Sequence, residues 1–190
     1  MKISPIQQDD ALEKVVLVDN HNRVTGLMDK LVAHQVGALH RAFSVFIFNH
    51  QNELLLQKRA GDKYHSPNQW ANSCCGHPRE NESTQAAAQR RLMEEMGLDE
   101  FLKPGIEFIY QAKLDDNLIE HEYVQFFTGV TAATPTPNPF EVADYLWMSH
   151  EQLLENPQSL DFAPWFQIYR RDYAKALDAM FIANLQIPVL

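Results

Sequence analysis

No apolar run in the chain approaches the ~18 residues that a membrane-spanning helix needs, so no such helix is expected. Cysteine is scarce. Cys74 and Cys75 are adjacent and cannot build a disulfide framework, and a bond between neighbours is strained, so both read as thiols in a reducing cytoplasm. Positive charge is short as well: 16 Lys+Arg stand against 25 Asp+Glu, a net charge of −9. That balance argues against a general binder of nucleic acid or anionic membrane. It leaves room for a small phosphorylated substrate, which needs only a few local cations and a metal. Repeats, low-complexity segments and secretory character are absent, and residues 1–12 are polar and acidic. What is present, 190 residues at 45% hydrophobic and 11% aromatic, describes one globular domain long enough to bury a core, expected as a monomer or weak homodimer.

Strands are expected at 15–19 and 23–27 around an Asp19-Asn20-His21-Asn22 turn, and at 43–48 and 54–58 around Asn49-His50-Gln51-Asn52. Residues 31–38 read as a short helix or loop, and 60–78 as a loop with Pro67 and Pro78 as breakers. A helix is expected over 82–96, capped by Ser83 and ended by Gly97. Further strands fall at 106–114, 122–131 and 145–148, with a stiff proline-rich loop over 134–139. The tail, 164–184, reads as one amphipathic helix whose apolar stripe packs into the core. Strands with few helices give an α/β sandwich with a mixed sheet.

Several groups carry chemistry. In extended chain Glu120 and Glu122 share a face and His121 takes the other. Two carboxylates side by side repel unless a cation sits between them, although a solvated strand end explains them equally well. His34, His40 and His77 could join them in a five-ligand site suited to Mn²⁺ or Zn²⁺, but a lone histidine is more often structural, and spacing does not show convergence. Arg91 and Glu95 are four apart on one helix face, either a surface ion pair or a metal-bearing position. Lys30, Lys58, Arg59 and Lys63 are solvated charges or a phosphate clamp. Cys75, beside a glycine turn, is a small buried hydrophobe or an active thiol. Trp70 and Trp165 are candidates to wall the same pocket, with core packing as the alternative.

Asn72-Ser73-Cys74-Cys75-Gly76-His77-Pro78, then Glu82, then Arg90-Arg91-Leu92-Met93-Glu94-Glu95-Met96-Gly97, closely fits a Nudix box, a glycine loop and carboxylate helix that hold a metal against a diphosphate. Arg91 stands where a Nudix hydrolase has a glutamate, and a thiol precedes the glycine. With Lys30-x-x-x-His34, Leu39-His40-x-Ala42-Phe43, Gln69-Trp70, Glu120-x-Glu122 and Pro164-Trp165, the chain resembles the type I isopentenyl-diphosphate isomerases, Nudix-fold enzymes of isoprenoid synthesis. The resemblance implies an α/β/α sandwich of α+β type: a single isomerase domain over 1–190, with a core over about 38–170 and a terminal helix over about 164–184. It implies one divalent metal, Mn²⁺, Zn²⁺ or Mg²⁺, on His34, His40, His77, Glu120 and Glu122, and a Mg²⁺ arriving with the diphosphate at Glu95. Lys30, Arg59, Lys63 and Arg91 would hold the diphosphate. Cys75 and Glu122 would be the acid/base pair, with Tyr110 beside Glu122 and Trp165 facing the hydrocarbon. A Nudix hydrolase of nucleoside diphosphates and a non-catalytic metal module are the alternatives. Arg91 weighs against the hydrolase because a positive charge replaces a catalytic-metal ligand, and Cys75 because water attack on phosphorus needs no thiol.

Overall fold

A computed structural model describes residues 13–114, 117–156 and 159–185; the acidic stretch 1–12 lies outside the described residues. Strands β1 (Lys14–Val18) and β2 (Val24–Asp29) pair antiparallel. Their turn is set by Asp19, whose carboxylate accepts the backbone N–H groups of His21 at 2.9 Å and Arg23 at 3.0 Å. Helix α1 (Lys30–Val36) stops at Gly37, in the left-handed region at φ 65°. Then come β3 (His40–Phe48), β4 (Leu54–Arg59), β5 (Trp70–Ala71), β6 (Cys74–Gly76) and α2 (Thr84–Met96). The chain continues through β7 (Lys103–Lys113), β8 (Ile119–Val130), β9 (Val142–Met148), α3 (His150–Glu155), α4 (Pro164–Asp172) and α5 (Ala174–Leu185). No helix among the described residues is long and apolar enough to cross a membrane.

β3 is the axis of a mixed sheet. It runs parallel to β8 from His40↔Glu122 to Phe48↔Val130, and antiparallel to β6 through Ser44↔Cys75. Nearly all of β3 is buried, as a strand covered on both faces must be. Ala42, Phe46 and Phe48 face one core with α4 and α5, through Trp165, Phe166, Tyr169, Leu177 and Phe181. Phe43, Val45 and Ile47 face the other, with Ala87, Ala88, Leu92 and Met96 of α2. The same alternation sends Cys74 into the α2 core and Cys75 to the opposite face, so the adjacent thiols part.

β3 and β4 meet only at Phe48↔Leu54 and then splay. Side chains stitch the gap. Ser73 Oγ donates to the Leu55 carbonyl at 2.7 Å and accepts the Ile47 N–H at 2.8 Å, while Asn72 Nδ2 donates to the Val45 and Cys74 carbonyls at 3.1 and 3.0 Å. The segment expected as a loop over 60–78 therefore contains two strands, too short for any period to reveal. β8 starts at Ile119 rather than 122, β9 at Val142 rather than 145, and β7 at Lys103 rather than 106. α2 begins at Thr84, after Ser83 accepts the Ala86 N–H. The tail is two helices, not one. Tyr173 leaves the helix at φ −117° and stacks flat on Phe108, ring centroids 3.5 Å apart. α3, which was not expected, rests on a capping box between Ser149 and Gln152.

Candidate active site

Where the sheet splits, a cleft opens. Cys75, His77, Tyr110, Glu120, Glu122 and Trp165 line it, together with Lys30, Arg59, Lys63, Arg91 and Glu95. His34 and His40 lie fully buried beneath. Most of the residues singled out in the sequence are thus brought together, from α1, β3, β4, β6, α2, β7, β8, α4 and the loops after β4 and β6; Lys58 and Trp70 do not line the cleft, and Trp70 packs in the core instead.

Two of the histidines, His34 and His40, have fixed tautomers. Nδ1–H of His34 donates to the Lys30 carbonyl at 2.7 Å, and Nδ1–H of His40 to the Ala38 carbonyl at 2.8 Å. A carbonyl only accepts, so in the neutral imidazoles each Nε2 presents a lone pair inward. His40 Nε2 and His77 Nε2 are 3.2 Å apart. His77 Nε2 lies 3.1 Å from Glu122 Oε1, and His34 Nε2 lies 3.1 Å from Glu120 Oε2. Donor atoms of His34, His40, His77 and Glu120 all fall within 4.8 Å of one another. Acceptors converging this closely need either a shared proton or a cation among them, and spacings of about 3 Å suit ligands held ~2.1 Å from one ion. The donor set therefore fits a divalent metal.

Electrostatics follow from burial. Desolvation pushes His40 down to about 4 and holds His77 well below its usual range, the neutral forms a metal requires. Burial opposes charge on His34 too, but its bond and attraction to Glu120 overcome that and raise it. Glu120 and Glu122 split: burial and the neighbouring Glu120 charge lift Glu122 well above the usual carboxylate range. Burial acts the same way on Glu120, yet the surrounding histidines bring it down. Tyr110 Oη donates to Glu122 Oε2 at 2.6 Å.

Cys75 is half-buried, and burial raises its thiol to about 12, so it is a neutral S–H. It donates to Asn72 Oδ1 at 3.1 Å, with Ser44 Oγ at 3.4 Å; Tyr169 Oη lies 3.1 Å from the same Ser44 oxygen. Trp165 is both core and wall. It is 4% exposed, meets His65 edge-on at 5.6 Å, and has the Arg59 guanidinium over its ring at 5.2 Å.

Arg91 and Glu95 are no surface pair: both are buried, joined at 2.7 Å, with Gln57 Nε2 donating to Glu95 Oε2 at 2.8 Å. Arg90 does make the more exposed pairs, with Glu82 and Glu94. Sequence reasoning missed His65, whose Nε2 lies 3.7 Å from Glu120 Oε1, and Glu141, which bonds Lys63 at 2.7 Å. Neither carried a periodic or spacing signal; only the folded loops bring them in. Ser44 and Asn72 were missed as thiol partners, although Ser44 sits on a strand otherwise wholly apolar over 42–48.

Sheet, glycine turn and carboxylate helix define a Nudix-domain protein, and the family profile for the NUDIX domain matches residues 38–166. The chain is 50% identical over 157 residues to "Isopentenyl-diphosphate Delta-isomerase 2" of Photorhabdus laumondii, covering 82% of this chain and 89% of that one. It is 46% identical over 159 residues to the Pectobacterium atrosepticum "Isopentenyl-diphosphate Delta-isomerase", covering 83% and 89%. The chain belongs to the isopentenyl-diphosphate Delta-isomerase family. A solved Deinococcus radiodurans structure, 20% identical, superposes with a TM-score of 0.67 over 85% of this chain and 99% of that one, a likeness of fold alone.

Proposed function

We infer that the protein interconverts isopentenyl diphosphate and dimethylallyl diphosphate, a 1,3-allylic rearrangement by protonation and deprotonation of the alkene. The carrying observation is one cleft lined by a neutral thiol, Cys75, and a carboxyl of raised proton affinity, Glu122, beside four cations. The chemistry needs such a pair. One group delivers a proton to the terminal alkene carbon, leaving a tertiary carbocation. The other removes a proton from the neighbouring methylene, so protons balance and the double bond moves by one carbon. Tyr110 would hold the Glu122 carboxyl in place, and Asn72 the Cys75 S–H. The Trp165 indole would stabilise the cation by about 1–2 kcal/mol. As a wall of the cleft it would help exclude the water that could trap the cation.

Lys30, Arg59, Lys63 and Arg91 would hold the diphosphate oxygens. A divalent ion on His34, His40, His77, Glu120 and Glu122, whether Mn²⁺, Zn²⁺ or Mg²⁺, would supply fixed positive charge beside Glu122. Mg²⁺ accompanying the diphosphate would meet Glu95. A single domain over the whole chain, acting in the cytoplasm as a monomer or weak homodimer, completes the reading, and free thiols suit a reducing compartment.

The test is proton NMR of the protein with isopentenyl diphosphate in D₂O, Mg²⁺ present and Mn²⁺ or Zn²⁺ varied. Dimethylallyl diphosphate carrying deuterium, with no phosphate released, is expected. An unchanged alkene with phosphate release would replace the isomerase by a hydrolase.

A further inference from the structure

The cations of the cleft are not equally available. Lys30 is paired with Glu13 at 2.8 Å, and Arg91 with Glu95 at 2.7 Å. Glu141 Oε2 takes two of them at once, lying 2.7 Å from Lys63 Nζ and 3.2 Å from Arg91 Nη2. Arg59 differs: its Nη2 donates to the His65 carbonyl, and its buried Nε has no hydrogen-bond partner.

Glu141 is 4% exposed and held from both sides. Its N–H donates to the Asn138 carbonyl and its carbonyl accepts the Ala60 N–H, both at 2.9 Å. The Asn138 N–H donates to the Glu95 carbonyl at 2.8 Å. The Glu141 backbone is thus tied to the end of α2 and to the start of the loop that carries Lys63, which places its side chain between the two cations. Two cationic donors from separate segments converging on one anionic oxygen is also how a phosphoryl oxygen is gripped.

We propose that Glu141 occupies the seat of a diphosphate oxygen between Lys63 and Arg91, and so determines which form of the diphosphate binds. The inference rests on the diphosphate reading of the cleft. An anion arriving alone meets a carboxylate already holding two of its cations, and like charges a few ångströms apart in a buried site repel strongly. A diphosphate partly neutralised by a divalent cation meets a smaller barrier. Glu141 is therefore a specificity-determining residue: it disfavours bare diphosphates and orthophosphate in favour of the metal-complexed substrate.

The alternative role, a brace that preorganises Lys63 and Arg91, makes the opposite prediction, and one measurement separates them. Inorganic pyrophosphate is titrated calorimetrically into chelator-treated wild type and Glu141→Gln at low salt. Glutamine keeps the size of the side chain and one oxygen for Lys63 while removing the charge. Glu141→Gln is expected to bind metal-free pyrophosphate at least tenfold more tightly than wild type, and Glu141→Ala to shift the same way. Equal or weaker binding, including none by either protein, would overturn the proposal. The outcome is independent of turnover. A wild type that leaves isopentenyl diphosphate unchanged, beside a Glu141→Gln variant with gained pyrophosphate affinity, would sink the isomerase reading and leave this one standing.

Discussion

Cys75 is held by partners on two sides, and each has a distinct consequence. Cys75→Ala removes the proposed proton-transfer group but none of the proposed metal donors, so turnover should fall by roughly 10²–10⁴-fold while metal content, read by elemental analysis, stays at the wild-type ratio. Retained turnover would refute the acid/base assignment. Ser44 touches Cys75 and Tyr169 from 1% exposure, so its hydroxyl acts through the thiol. Ser44→Ala should lower kcat about tenfold, the worth of one hydrogen bond, with KM little changed, and Ser44→Thr should restore most of it. A loss confined to KM would contradict that. The sequence marked Cys75 and the histidines because their residue types are scarce and chemically specific, and Glu122 because Glu120-x-Glu122 puts two carboxylates on one strand face. It could not mark Ser44, Asn72 or Glu141, whose types are common, which carry no such pattern, and whose roles exist only through contacts made by distant segments.

At the scale of elements, α2 was legible at both ends because capping is local chemistry: Ser83 accepts at the start and Gly97 adopts φ 67° at the end. Gly97 also bears tertiary packing. A Cβ there would collide with Thr136 Oγ1, and the Thr136 N–H donates to the Met96 carbonyl at 2.8 Å. Gly97→Ala should therefore destabilise the protein by about 2 kcal/mol or more, lowering Tm by roughly 5 °C. It should also displace Glu95, two residues away. An unchanged Tm would mean that the 134–139 loop yields freely. The alternation of β8 was equally readable. Not readable were β5 and β6, two and three residues long and paired through contacts far away in sequence, or the break at Tyr173, which depends on Phe108 across the fold.

For the whole molecule, the cost of burying the histidine cluster appears as pH dependence. His40 is held near 4 in the fold against 6.5 in the unfolded chain, and His65 and His77 shift the same way. Below pH 6.5 the unfolded chain takes up protons that the fold refuses, so these groups withdraw stability as pH falls from 6.5 toward 4. At pH 5 His40 alone costs about 2 kcal/mol. His34 and Glu122 are raised and act oppositely, lending stability that fades as pH rises through their folded values; Glu120 is lowered and, like the depressed imidazoles, loses its contribution as pH falls. Chelated protein should thus melt lower at pH 5 than at pH 7. Adding Mn²⁺ or Zn²⁺ should raise Tm at pH 7, by an increment that shrinks on acidification; a metal increment independent of pH would remove the histidines from the site. The register of β8 against β3 carries a further consequence. Glu120 and Glu122 lie on the same strand face as Val124 and Phe126, with Glu122 opposite His40. A slip of one residue would evict ligands and core side chains together. If the cluster holds the proposed ion, misassembled copies would be unable to take it up, and bound metal per chain would serve as a census of correctly folded molecules in any preparation.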